Sequence, residues 1–275
     1  MNYLVAHCAW SPERKATCAR IYKQLDGHDL FISESSRPEH AYLWARRLWE
    51  MAAGYSDPTV FLNDDVILHP QFADIVEAMV AGNPGETLSL HSNMPGALDA
   101  AKAGHHWCRT YWLTGPAYIL WPETARELLD YWDDLPWSYA TRVNEDVVGI
   151  MHAWTNQHPI HCAIPAPVIH DTLTSSTLGY DAHANRTPTV PWTTHTPEGA
   201  DLTSPDYWKP TGNEPTVDNP WMPVAKMETL RRTLAEGQAV CFMCIAAPGE
   251  VGTKEVALCK RCVARCSNAA MGVQL

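Results

Sequence analysis

The sequence predicts an α/β fold in which parallel strands alternate with helices. Short apolar segments at residues 2–8, 29–33 and 59–62 are separated by two segments with helical spacing, all within the first 65 residues. Strand–helix–strand units of this length favour parallel pairing with right-handed crossovers. The chain has 275 residues, of which 46% are hydrophobic, which is enough for one large domain and a small additional module.

Local signals place the first helices. Serine is a common N-cap and proline is tolerated at the first helical position, so Ser11 and Pro12 predict a helix start. Residues 36–39 have capping-box spacing and predict the start of the second helix. The third strand ends at Asn63, and the third helix begins at Pro70. The second helix places its small and apolar residues on one face: Ala41, Ala45, Leu48 and Ala52.

The chain after the third helix is less regular. The prolines within 161–169 favour an edge strand there. Residues 185–223 contain eight of the 21 prolines and show no period, which predicts an extended arm or linker, either wrapped over the domain or mobile. We divide the chain into a domain over 1–184, this arm, and a module over 224–275. Further strands are predicted at 86–91 and 111–120, and helices from Pro122 and from Asn144 to about Gln157.

Carboxylates follow the third predicted strand directly, as Asn63-Asp64-Asp65. Ligands bind beyond the carboxyl ends of parallel strands, and adjacent carboxylates need a cap, solvent or a cation. The alternative is an ordinary turn before the next helix. Glu145-Asp146, at a predicted helix start, and His170, at a strand end, favour a cation. Capping explains the acidic pair equally well, and a lone histidine at a strand end is more often structural than a ligand. Aspartate oxygens with one imidazole suit Mn²⁺ or Mg²⁺, with a substrate phosphate completing the shell.

The order of these features resembles the GT-A class of nucleotide-sugar-dependent glycosyltransferases. The resemblance covers about residues 2–180. It implies a GT-A fold, a Rossmann-like mixed sheet flanked by helices, and transfer of a hexosyl or pentosyl group to an acceptor hydroxyl. Beside the opening strand–helix units, it rests on FLNDDVILHP (61–70), TGPAYILWP (114–122), VNEDVVG (143–149) and VIHDTLTSS (168–176).

The resemblance also implies roles for individual residues. FLNDDV looks like the metal-binding acidic motif often written DxD, from which Asn63 departs at the first position. Asp65 matches the metal-binding last position, and His170 is the second expected ligand of Mn²⁺ or Mg²⁺. Glu145 or Asp146 would be the general base if the reaction inverts the anomeric centre. The expected donor-binding residues are His7, Arg14, Glu34, Asn63, Asp64, Asp65, Gly115, Ser175 and Ser176.

Paired cysteines predict a second, structural metal site. Two CxxC pairs, Cys241 with Cys244 and Cys259 with Cys262, are separated by 14 residues. This spacing is typical of a tetrahedral Zn²⁺ site of zinc-ribbon type, which would fold a segment too small for its own core. Redox-active cysteines are the alternative, and Cys266 is an alternative fourth ligand. Basic residues beside the site would contact nucleic acid or a partner, or form a solvated face.

Charge and composition narrow the function classes. A formal net charge of −11 argues against a general nucleic-acid coat protein. Since there is no long apolar run and no basic leader, we expect a cytoplasmic protein without a membrane partner. Some phage-encoded transferases modify hydroxylated bases in DNA, and the overall look of the sequence suggests a phage enzyme of the host cytoplasm with such an acceptor. The alternatives are a non-catalytic zinc-ribbon interaction protein on a degenerate transferase domain, favoured by Asn63, and a phosphohydrolase, whose nucleophile pattern is missing at the first strand.

Overall fold

The computed structural model describes residues 1–35, 41–113, 115–134, 145–171, 187–217, 251–252 and 257–258. The strands are β1 (Asn2–Cys8), β2 (Asp29–Ser35), β3 (Thr59–Asn63), β4 (Val66–Leu68), β5 (Leu88–Ser89), β6 (Trp107–Thr110), β7 (Ala117–Leu120), β8 (Ile160–Ala163), β9 (Val168–His170), β10 (Val251–Gly252) and β11 (Ala257–Leu258). The helices are α1 (Pro12–Gln24), α2 (Ala41–Ala53), α3 (Phe72–Gly82), α4 (Pro95–Lys102), α5 (Pro122–Asp134), α6 (Glu145–Thr155) and α7 (Trp192–His195).

A mixed sheet of seven strands, flanked by helices, forms the centre of the fold, in the order β2-β1-β3-β7-β5-β8-β6. β1 pairs in parallel with both β2 and β3, as the sequence predicts. Both faces of β1 are covered: Tyr3 and Val5 belong to one buried cluster, and Leu4 to another. Because successive side chains of a strand point to opposite faces, a strand covered on both faces has a continuous apolar sequence.

Two predicted strands are each divided in the structure. The segment predicted over 111–120 is a strand only from Ala117, and β6 before it ends at Thr110. The segment predicted over 161–169 is β8 followed by β9. The expected edge position is wrong for β8, which lies between β5 and β6, whereas β9 is one of the two strands of a separate small sheet. Pro165 and Pro167 fall between β8 and β9. Proline has no N–H to donate to a ladder, so it ends the central strand here and does not mark an edge.

The described part of the Pro-rich arm, residues 187–217, packs against the domain. Trp208 is fully buried, and its carbonyl accepts hydrogen bonds from Asn83 Nδ2 at 2.9 Å and from Trp107 Nε1 at 2.7 Å. Trp208 Nε1 donates to the carbonyl of Leu202 at 2.7 Å. Farther along, Thr216 forms a bridge with Arg109 on β6. This part of the arm therefore completes the core beside the edge strand β6.

An ion pair ties the end of the arm to β6. Arg109 Nη2 donates to Glu214 Oε2 at 2.9 Å, and the same carboxylate accepts hydrogen bonds from the backbone N–H groups of Thr211 and Gly212. Burial raises the pKa of Glu214, but these donors outweigh burial and hold the pKa at about 2. The ionised form of Glu214 is therefore stabilised more in the folded protein than in the unfolded chain.

We expect Glu214→Gln to lower the free energy of unfolding at pH 7 by about 2 kcal/mol. A lowered pKa in the folded state contributes stability above the ordinary glutamate pKa, and that stability is lost as the pH falls toward about 2. Urea unfolding at pH 7, 4 and 3 should thus show the gap between wild type and variant narrowing below about pH 4.5. A gap of constant size across this range would contradict the prediction.

Candidate functional site

The acidic motif lies where two neighbouring parallel strands end. β1 and β3 run side by side, so their carboxyl ends meet at one edge of the sheet. The backbone N–H of Asp64 donates to the carbonyl of Ala6 at 3.0 Å, which extends the pairing one residue past β3. The N–H of Asn63 donates to the carbonyl of Pro116 at 2.9 Å. These hydrogen bonds hold the backbone of the motif between β1 and the turn before β7.

Asp64 is a fully buried carboxylate surrounded by hydrogen-bond donors. It has no exposed surface. Its Oδ2 lies 2.8 Å from His7 Nδ1 and accepts from the backbone N–H of Cys8 at 2.7 Å, while its Oδ1 accepts from Arg14 Nη1. A buried charge is costly unless it is paired and hydrogen-bonded, and these contacts meet that need. Asp64 therefore connects the carboxyl end of β1 with the first turn of α1.

Arg14 joins both carboxylates of the motif. α1 starts directly after β1, with Ser11 in an extended N-cap conformation and Pro12 at the first position, so Arg14 lies in the first turn of the helix. Its side chain is buried, and Nη2 donates to Asp65 Oδ2 at 2.6 Å while Nη1 donates to Asp64. Burial lowers the pKa of the Arg14 guanidinium, but the carboxylates of Asp65 and Asp64 outweigh burial and raise it. Arg14 is therefore a permanent positive charge inside the site.

A separate two-stranded sheet brings His170 close to Asp65. β4 pairs antiparallel with β9, with Val66 opposite His170, and the N–H of Asp171 donates to the carbonyl of Asp65 at 2.7 Å. As a result His170 Nε2 lies 2.9 Å from Asp65 Oδ2, although the two residues are 105 positions apart. The convergence that the sequence analysis expects for Asp65 and His170 is present. We call His7, Arg14, Asp64, Asp65 and His170 the acidic site.

Fewer described contacts connect the other predicted site residues to the acidic site. Glu34 is exposed near the end of β2, in register with His7. Gly115 is half-buried in the turn before β7, beside Pro116, whose carbonyl binds the N–H of Asn63. Glu145 and Asp146 begin α6, as predicted, with only their backbone described. The remaining predicted residues lie outside the described residues: Ser175, Ser176, Cys241, Cys244, Cys259 and Cys262.

Two residues of the acidic site are suitable ligands for a divalent cation. The 2.9 Å between Asp65 Oδ2 and His170 Nε2 is about the spacing of neighbouring ligands on one small ion. Asp64 does not fit this role, because its oxygens face Arg14, His7 and the Cys8 N–H. Within the ranges that the structure describes, no group of three or more His, Cys, Asp or Glu residues could hold a metal. Substrate phosphate and water would therefore have to complete the shell.

Sequence reasoning missed several polar residues around the acidic site. His91, buried on the loop after β5, has its ring centroid 6.1 Å from that of His170. On α1, Arg20 Nη2 donates to Asp171 Oδ2 at 2.9 Å, next to His170 in the chain. His91 is the last residue of the strand predicted over 86–91, and a polar residue at a strand end was the available signal. Nothing local indicates the Arg20–Asp171 pair, because its partners are 151 residues apart.

A cavity of about 490 Å³ lies at the opposite edge of the sheet, by the amino ends of β5 and β8. Its lining includes Arg109, Glu214, His152 and His161. Burial lowers the pKa of both histidines, so their rings are neutral near pH 7. Because Arg109 and Glu214 form the ion pair that holds the arm, this cavity is part of the contact between the arm and the domain.

No protein-family model matches the chain, and no curated protein matches it in sequence. None of the helices within the described ranges is long and apolar enough to cross a bilayer.

Proposed function

We propose that the protein is a GT-A glycosyltransferase that moves a sugar from a nucleoside-diphosphate donor to an acceptor hydroxyl. One observation carries the proposal: Arg14, Asp65 and His170, from three distant parts of the chain, meet beyond the ends of β1 and β3. Open α/β sheets bind their ligands at this edge. A buried arginine beside two carboxylates and a histidine is suited to an anionic ligand that is handled together with a cation.

The proposed reaction makes one bond and breaks one. The acceptor oxygen bonds to the anomeric carbon of the sugar, the bond from that carbon to the diphosphate breaks, and the diphosphate leaves with the electron pair. The acceptor proton passes to a carboxylate, for which Glu145 or Asp146 at the start of α6 is the candidate. Negative charge grows on the departing diphosphate, so fixed positive charge beside it lowers the barrier.

Arg14 supplies such a charge, and a guanidinium donates charge-assisted hydrogen bonds to phosphate oxygens. Asp65 and His170 are the proposed ligands of Mn²⁺ or Mg²⁺, which would neutralise the diphosphate as it leaves. Asp64 has no exposed surface, so we assign it to positioning Arg14 and His7 and not to donor contact. His7, Glu34, Asn63 and Gly115 stay candidates for contacts to the donor.

The acceptor part of the proposal rests on the sequence alone. A zinc-ribbon-like module at Cys241, Cys244, Cys259 and Cys262, with basic residues beside it, would suit an acceptor in nucleic acid. We propose a hydroxylated base in DNA as the first acceptor to test. A zinc measurement on the purified full chain, with about one Zn²⁺ per chain expected, examines the module separately.

The experiment is a donor panel. The full chain is incubated with UDP-, GDP- and ADP-sugars in Mn²⁺, Mg²⁺ or EDTA, and release of the nucleoside diphosphate is followed. We expect slow hydrolysis of one donor class that depends on the metal, together with transfer of labelled sugar to hydroxymethylated DNA but not to plain DNA. If no donor binds or turns over in any of the three conditions, the transferase proposal fails.

A second candidate function is a binding protein on a catalytically inactive transferase domain. It is favoured by Asn63 in place of the first acidic residue, and by Arg14, which already neutralises much of the negative charge of the motif. In the same panel this candidate predicts that a nucleoside diphosphate binds to the folded protein while no donor is consumed.

A further inference from the structure

The position of Arg14 bears on how a divalent cation can enter the acidic site. Its two terminal nitrogens contact different carboxylates, Nη1 that of Asp64 and Nη2 that of Asp65 at 2.6 Å. The guanidinium thus occupies the position between the two aspartates from which a cation would neutralise both. The acidic site therefore already contains a positive charge, which the Arg14 side chain supplies.

We infer that Arg14 is an internal counter-cation that competes with a divalent metal for Asp65. In the resting protein the guanidinium engages Asp65, so free metal binds weakly. A nucleoside diphosphate offers the guanidinium new acceptors and releases Asp65 to the metal. The second half of this inference rests on the proposed function; the competition between Arg14 and metal does not.

The competition follows from the contacts of one oxygen. Asp65 Oδ2 is 2.6 Å from Arg14 Nη2 and 2.9 Å from His170 Nε2, and the side chains of Arg14 and Asp65 are almost fully buried. A metal on this oxygen would lie within a few ångströms of the guanidinium. Like charges repel strongly at such distances where water screens them poorly, so arginine and metal cannot share the oxygen without loss.

The geometry also provides a way for Arg14 to release Asp65 without leaving the site. Asp64 accepts from Nη1 and is itself held by His7 and the Cys8 N–H, so it stays an anchor when the contact through Nη2 is broken. The long side chain of arginine can pivot about that anchor. Phosphate oxygens accept charge-assisted hydrogen bonds from a guanidinium as carboxylates do, so a diphosphate is a suitable new partner for the released Nη2.

The test measures Mn²⁺ binding by electron paramagnetic resonance of the free ion, with thermal unfolding as a second readout. Without nucleotide, we expect Arg14→Met to bind Mn²⁺ about tenfold or more tightly than wild type, and Mn²⁺ to raise its unfolding temperature more. The matched control is Lys23→Met, which removes a positive charge from the exposed last turn of the same helix and should change the Mn²⁺ affinity by less than about threefold. Adding Asp65→Asn to Arg14→Met should abolish the gain.

Wild type supplies a measurement that does not depend on a variant folding. A nucleoside diphosphate binds Mn²⁺ by itself, so a sample of nucleotide and Mn²⁺ without protein is the reference. Beyond that reference, UDP or GDP should tighten Mn²⁺ binding to wild type by about tenfold or more. A folded Arg14→Met protein with wild-type Mn²⁺ affinity would contradict the competition. So would a wild type that turns over a donor but whose Mn²⁺ affinity does not change with either nucleotide. If instead the Arg14→Met effect appears and no donor is ever bound or consumed, the competition stands and the transferase proposal fails.

Discussion

Under the proposed function, Asp65→Asn should lower donor turnover by about a hundred- to a thousandfold while the protein stays folded. Asparagine keeps the shape of the side chain but removes the charge that engages Arg14 and would engage the metal. The loss of one buried charged contact costs about 1–3 kcal/mol of stability, and Arg14 retains its contact with Asp64. Nucleoside-diphosphate release at saturating donor measures the turnover, and circular dichroism checks the fold.

Glu214→Gln is the matched control for Asp65→Asn. It also removes a buried carboxylate that pairs with an arginine, but it lies at the opposite edge of the sheet, with the arm. We expect this variant to keep turnover within about twofold of wild type once assayed well below its unfolding temperature. A folded Asp65→Asn protein with full activity would remove Asp65 from the mechanism, and with it the metal assignment.

Trp208→Ala should cost about 3–5 kcal/mol of unfolding free energy, the largest stability effect we expect from one substitution. The indole is fully buried, its ring centroid lies 5.2 Å from that of Trp107, and its Nε1 donates to the carbonyl of Leu202. Truncation leaves a cavity and strands that carbonyl without its donor. Urea unfolding of the full chain at pH 7 measures the loss.

Trp10→Ala is the control for this stability prediction. Trp10 is 39% exposed in the loop between β1 and α1, so the same truncation there should cost about 1 kcal/mol or less. If Trp208→Ala is no more destabilising than Trp10→Ala, the arm does not contribute to the core in the way that the contacts of Trp208 indicate.

Local sequence patterns were sufficient for the first half of the fold. Apolar runs that are buried on both faces mark β1 and β3, and the Ser11-Pro12 signal marks the first helix at the residue where α1 begins. These elements depend on interactions between near neighbours in the chain, so their periods are visible in it. Parallel pairing of β1 with β2 and β3 followed from the short helical connections.

The short strands that follow β3 depend on partners far away in the chain. β7 pairs antiparallel with β3 and β5, and β4 is a three-residue strand that exists through its pairing with β9. Strands of two to four residues have too few positions to show a period. The helix α4 was not predicted either, since its eight residues contain few large apolar side chains.

The amino-acid order was enough to put two aspartates directly after a buried strand, and so at the edge of the sheet where ligands bind. The resemblance added His170 as an expected second ligand beside Asp65, but the pairing of Arg14 with both aspartates was not predicted. The pairing of β4 with β9 brings His170 to Asp65, and the turn from β1 into α1 brings Arg14 to both carboxylates. Such contacts depend on strand register and on the burial of charges from segments 50 to 105 residues apart. Neither strand register nor charge burial affects the local hydrophobic spacing of the sequence. The ion pairs of Arg14 with the two aspartates are therefore seen only in the tertiary structure.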